Sequence, residues 1–201
     1  MTRLPVLPAL ALLLAAAAPA PTITGLHPIP LQPGINQIEH LTPDNRPGVI
    51  LLAWRDNANA WGYDTYTVLL PNDGQWQLAG IERSGNTPDF SDTIQDSPHT
   101  GEDATSTVRF ARAQVDGHPA PRLLEARRTR SDTPYDPAPT TYDVFALTPN
   151  TEGPGRTQAY FRRILHQDLP AQYCHAEAAL SQASGLPRRA SYDGKPTPTG
   201  C

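Results

Sequence analysis

The chain has 201 residues, a formal charge of −4 and a pI near 5.8. That mildly acidic balance excludes a general nucleic-acid binder, which needs a basic surface. Its 23 prolines exclude a long helical bundle, because proline removes a helix donor and clashes with the preceding turn.

The first residues read as a targeting segment. Arg3 supplies a positive charge, residues 4–14 are apolar, and small residues follow at 15–18. This is the order of a secretory signal peptide, with a cut expected after Ala17. A membrane anchor is the alternative. The apolar run, however, is shorter than the ~20 residues a spanning helix needs, and Pro5 and Pro8 interrupt it. The expected organisation is a signal peptide over 1–17, a proline-rich extended lead-in over 18–34, and one β-rich domain over 35–201. The processed chain is expected in the periplasm or secreted, and not to span a membrane.

Ordered structure is expected from about Gly34, with a first strand over 35–40. Residues 49–54 are a continuous apolar run, which suits a central strand buried on both faces. Tyr66, Val68 and Leu70 alternate with Thr65, Thr67 and Leu69 and predict a half-buried strand. Pro71-Asn72-Asp73-Gly74 marks a turn, so 64–70 and 75–82 are expected to pair as a hairpin. Residues 83–103 are polar and read as a long surface loop. Residues 104–115 and 122–128, separated by a turn at 116–120, form a second expected hairpin. A proline-rich loop over 129–139 leads to strands at 140–147 and 159–165.

The period then changes. Residues 171–184 lack Gly and Pro and repeat alanines at helical spacing, with Pro170 before and Gly185 after. About eight short strands with regular turn signals and one helix predict a mainly β fold, an antiparallel β-sandwich-like single domain with one short C-terminal helix.

The two cysteines are Cys174 and Cys201. In an oxidising compartment an even count favours a bridge, which here ties the tail to the helix. The alternative is a reactive thiol in Cys174-His175. Adjacent helical residues point about 100° apart, a poor geometry for a nucleophile and its base.

The standard catalytic and phosphate-binding motifs are absent from the sequence. The six histidines are not spaced as local zinc ligands, so neither a metal nor a cofactor is expected. The carboxylates of 89–103 do not follow the spacing of a calcium loop and read as solvated. The arginine groups 127–130, 162–163 and 188–189 either form an anion-binding face or lie as scattered surface charge. The most informative stretch is residues 55–64. It places Arg55, Asp56, Asn57, Asn59, Trp61 and Tyr63 after the most apolar strand. A cation, a carboxylate, amides and aromatics on a rigid strand end can bind a polar ligand. The alternative is a compact loop whose Asn and Asp cap its own backbone.

Residues 48–64, GVILLAWRDNANAWGYD, resemble the strand and loop of the CarG family of carbapenem intrinsic-resistance proteins. The resemblance implies a secreted bacterial protein with a β-sandwich-like fold. It also implies protection of carbapenem producers by a route not shown to be hydrolysis. The expected function is therefore that of an exported non-enzymatic binding or protective protein, whose partner is a small molecule or an envelope protein. One alternative is a periplasmic hydrolase with a site assembled from distant residues, using His99 or His118. Another is a structural envelope protein that works through its strand edges. An enzyme should set a histidine against a carboxylate, and a binding module should show a concavity at 55–63.

Overall fold

The structure is a computed structural model that describes residues 21–58, 62–83, 90–96, 105–129, 136–154 and 157–189. The elements are β1 (Ile23–Pro28), β2 (Gly34–Ile38), β3 (Gly48–Arg55), β4 (Tyr63–Asn72), β5 (Gln75–Leu78), β6 (Gly80–Glu82), β7 (Phe90–Ser91), β8 (Ile94–Gln95), β9 (Ser106–Val115), β10 (His118–Arg128), β11 (Thr140–Pro149), β12 (Ala159–Asp168) and α1 (Ala176–Ser184). One sheet runs β1-β9-β10-β11-β12-β6-β7; the other runs β2-β3-β4-β5, with β8 paired to β4. The chain is a β-sandwich-like domain with one short C-terminal helix.

Two hydrophobic layers hold it together. Between the sheets, Ile50, Tyr66 and Val68 meet Val108, Phe110, Leu123, Phe145 and Phe161. The alternate residues of the larger sheet point the other way. Ala111, Leu124, Ala126, Tyr142 and Val144 pack there against Ala176, Ala179 and Leu180 of α1. This is why β10 and β11 read as nearly continuous buried runs: both faces of those strands are covered. The helix stops at Gly185, whose φ of 72° closes a left-handed cap with its N–H on the Ser181 carbonyl.

The two Asp-Gly turns behave as their sequence predicts. Asp73 and Gly74, and Asp116 and Gly117, all have positive φ, the backbone of a two-residue hairpin turn that matches strand twist. The second turn is therefore shorter than 116–120, and β10 begins at His118.

Several expectations are corrected. Ordered structure begins before Gly34, because the lead-in contains β1, which pairs antiparallel with β9. Its register shifts between Thr24 and His27, around Gly25 at φ 62°. That break lets Ile23 and Leu26 both join the helix-side layer. The hairpin partner of β4 ends at Leu78. After Ala79 the chain crosses to the other sheet, where β6 pairs parallel with β12. The region 83–103 contributes β7 and β8 among its described residues. The helix begins at Ala176, since Tyr173 is held in an extended bridge to Ala138.

Candidate functional site

A groove of about 280 Å³ opens where β1 leaves the larger sheet and runs past β3 and β4. Its apolar lining is Ile29, Leu31, Leu52, Val108 and Phe110, all part of or packed against the inter-sheet core. Its polar end is formed by Asp64, Tyr66, Arg109 and Arg189. Residues 28–31 are positioned by the Ile29 N–H, which donates to the Phe110 carbonyl at 2.8 Å.

The polar end is a buried network. Arg189 Nη2 donates to Asp96 Oδ2 at 2.5 Å, and its Nη1 donates to the Tyr66 hydroxyl at 3.0 Å. Tyr66 in turn donates to Asp96 Oδ2 at 3.1 Å, and the Val108 N–H donates to Asp96 Oδ1 at 2.5 Å. The Asp96 side chain is fully shielded from solvent. A buried carboxylate persists only when it is paired and hydrogen-bonded, and here three donors meet it. Burial, with Asp96 beside it, pushes the Tyr66 hydroxyl well above its usual range. Burial alone would lower the Arg189 pKa, but Asp96, Tyr66 and Glu177 together outweigh it and the guanidinium is held charged.

A second carboxylate fixes the strap that carries Arg189. Glu177, in the first turn of α1, accepts from the Arg189 N–H at 2.7 Å and from Thr107 Oγ1 at 2.9 Å, and pairs with Arg109. The segment after the helix is thereby tied to β9.

None of the described sequence-predicted residues lines this groove. Arg55 and Tyr63 are cross-strand partners at the β3–β4 hairpin, and Arg55 Nη1 donates to the Tyr63 hydroxyl at 2.7 Å. The guanidinium also sits 5.4 Å from the Tyr63 ring centroid. Asp56 Oδ1 accepts from the Ala58 N–H at 2.7 Å, which closes an Asx turn of the kind a self-capping loop makes. Asn57 is half-buried in the same turn. Asn59 and Trp61 lie outside the described residues. Asp64, with Leu52 and Tyr66 of the same hairpin, lines the groove, while Tyr63, its neighbour in β4, points to the opposite face of the strand. Cys174 is half-buried just ahead of α1; Cys201, His99 and the signal segment lie outside the described residues.

A second cavity of about 290 Å³ lies at the other end of β4, lined by Pro43, Leu70, Leu78 and Pro149. Its ion pair, Asp44 with Arg46, is more than half solvated on average, and Thr42 Oγ1 is engaged by the Arg46 backbone. A pair so exposed holds a ligand weakly. The groove, with its buried network, is the better candidate.

One further polar cluster was not legible in the sequence. Glu125, Asp143 and His166 are successive cross-strand partners on β10, β11 and β12. His166 Nδ1 donates to Asp143 Oδ1 at 2.6 Å, and Arg83 Nη1 grips both oxygens of Glu125 at 2.7 and 3.0 Å. Burial raises the Asp143 pKa, against the pull of His166. His118 opens β10 as an exposed residue. The arginine groups do not form one face: Arg127 pairs with Glu125, Arg128 bonds the Tyr173 carbonyl, and Arg189 enters the groove network. Asp96, expected in a solvated loop, is buried instead, because its carboxylate is the acceptor that these donors require.

Among the described residues no group of three metal-ligating side chains comes together, and no helix is long and apolar enough to cross a membrane. Two packed sheets closed by one helix, with a core-lined groove between them, define a β-sandwich-like protein with an internal groove. No family model matches the chain, and no curated protein matches it. A solved structure, the crystal structure of CarG, is similar to it with a TM-score of 0.60 and 17% identity, covering 85% of this chain and 99% of that one. At that identity the likeness is one of fold.

Proposed function

We propose that this chain is an exported, non-enzymatic binding protein that takes a small molecule in the groove beside the β3–β4 hairpin. Its role is protective, as the resemblance of residues 48–64 to the CarG family implies. The observation that carries this reading is the groove itself. It has core-quality apolar walls and one end fixed by the Asp96–Tyr66–Arg189 network. Binding sites combine such apolar walls with a few placed polar groups. The fold shared with CarG supports the same reading. In this reading Arg55, Asp56, Asn57, Asn59, Trp61 and Tyr63 are the residues of the hairpin that recognise a polar ligand. Export through the 1–17 signal peptide delivers the protein to the periplasm or medium, where a Cys174–Cys201 bridge can form.

Calorimetry with a carbapenem tests the proposal, alongside chromatography of the carbapenem after long incubation. Stoichiometric binding with the ligand recovered intact is expected. Trp61→Ala should weaken binding and leave the melting temperature nearly unchanged, because a recognition residue on a loop adds little to the core. Absence of heat at millimolar ligand would refute the reading.

A second reading, a hydrolase, is favoured by one observation: His166 stands 2.6 Å from Asp143. A carboxylate on Nδ1 orients the ring and leaves Nε2 as a base. Steady consumption of carbapenem by catalytic amounts of protein, lost in His166→Asn, would establish it in place of the first.

A further inference from the structure

The helix-side face of the larger sheet holds a buried cation with no counter-charge. Arg122 of β10 is only 8% exposed. Its Nη1 donates to the carbonyl of the adjacent Pro121 at 3.0 Å, and its Nε has no partner. Among the described residues no carboxylate pairs with it, and its pKa is lowered by burial alone. The guanidinium stays charged even so. Buried charges are paired as a rule, as Asp96 and Glu125 are in this same molecule, so Arg122 stands out.

The register sets a second cation beside it. Arg122 is opposite Ala111 on β9 and Ala146 on β11, and Ala146 is opposite Arg162 on β12. Residues paired across strands share a face, so Ala111, Arg122, Ala146 and Arg162 form one row on the helix side. The two arginines are two strand spacings apart, about 10 Å between Cα atoms, with only an alanine methyl between them. Arg162 is exposed, and among the described residues its side chain has neither an ion pair nor a hydrogen bond. Glu82, on the strand beyond β12, is committed to the Arg163 N–H at 3.1 Å.

We propose that Arg122 and Arg162 hold a doubly charged oxyanion of the phosphate or sulfate class over Ala146. Each guanidinium presents a planar fork of donors that fits such an oxyanion, and the orphaned Nε of Arg122 gains the acceptor it lacks. A dianion balances both cations, whereas a monocarboxylate leaves one charge over. The small side chain of Ala146 is what lets one anion reach both arginines. The site lies on the opposite face of the sheet from Val108 and Phe110, which line the groove. It therefore stands whether or not the groove binds a ligand.

Calorimetry on the full chain with sodium sulfate, sodium phosphate and sodium acetate tests it, at one ionic strength so that screening is the same for all three. Sulfate and phosphate should each bind one to one, and acetate about tenfold weaker or more. Arg162→Gln alters an exposed side chain and keeps the fold. It should weaken sulfate about tenfold or more and bring it level with acetate. Arg122→Met keeps an unbranched stem without the charge and should abolish sulfate binding. Should that variant not fold, Arg162→Gln alone decides. Acetate binding as tightly as sulfate overturns the proposal, as does failure of both dianions to bind. Sulfate binding that survives either substitution marks an adventitious ion only and overturns it equally.

Discussion

Tyr66→Phe isolates one hydroxyl from the network at the polar end of the groove. The ring stays, so its packing 5.8 Å from the Phe110 centroid is kept. What is lost is one bond donated to Asp96 and one accepted from Arg189, both involving a charged partner. A hydrogen bond to a charged group contributes about 1.5–3 kcal/mol. Asp96 still keeps Arg189 and the Val108 N–H, so the two losses do not add in full. The expected net cost is about 2 kcal/mol, or a fall in melting temperature of about 4–8 °C for a domain of this size. Urea titration and thermal melts measure it. The variant also carries a pH signature. Burial raises the Tyr66 pKa above its unfolded value of 10.0. The folded state therefore favours the neutral phenol, and the stability this contributes is complete below pH 10 and is lost as pH rises beyond it. Tyr66→Phe should flatten that alkaline decline. A cost below about 0.5 kcal/mol, the range of surface substitutions, would show that the network does not hold the groove together.

Four other outcomes are expected. Gly48→Ala places a Cβ 2.7 Å from Leu41 Cδ2 and 3.1 Å from the Leu69 carbonyl oxygen, and should cost about 1–3 kcal/mol in urea titration. Gly62→Ala sets a Cβ against the half-exposed Trp54 ring, so the ring should swing outward, with a shifted tryptophan emission and a smaller stability loss. Burial in the helix-side layer pushes the Tyr142 hydroxyl from 10.0 up to about 12, so its share of stability is intact below pH 10 and lost between about 10 and 12. Tyrosinate absorbance of the folded protein should show this late titration, and Tyr142→Phe should remove it; a single step near pH 10 would contradict it. Unfolded, unreduced protein from the periplasm should titrate no free thiol, and reducing the Cys174–Cys201 bridge should cost about 3–4 kcal/mol for the loop it closes.

The elements that local physics dictates were legible in the chain. The strand at β3, the alternation of β4, both Asp-Gly turns and the Gly185 stop each follow from the preferences of a few neighbouring residues, although β3 is not buried on both faces throughout: it is buried only to Ile50, and Ala53, Trp54 and Arg55 are exposed. Strand periodicity, positive-φ turns and helix caps are set by steric and hydrogen-bonding rules that act over two to five positions. From these the sandwich class and the terminal helix could be read. The composition of residues 55–63 marked a polar and aromatic loop, but none of its described residues lines the groove. What the tertiary structure alone decided is which distant groups meet. The lead-in became β1 because β9 offered it an edge, and its prolines obscured the apolar pair Ile23 and Leu26. Three residues, Gly80–Glu82, changed sheets to lie beside β12. Asp96 and Arg189, 93 positions apart, turned from surface charges into a pair whose carboxylate is fully buried, and His166 found Asp143 across a strand. Pairings of this kind carry no local signature, because the free energy that selects them comes from burying the whole of both sheets at once. A carboxylate enters that interior only where another part of the chain delivers a donor to it.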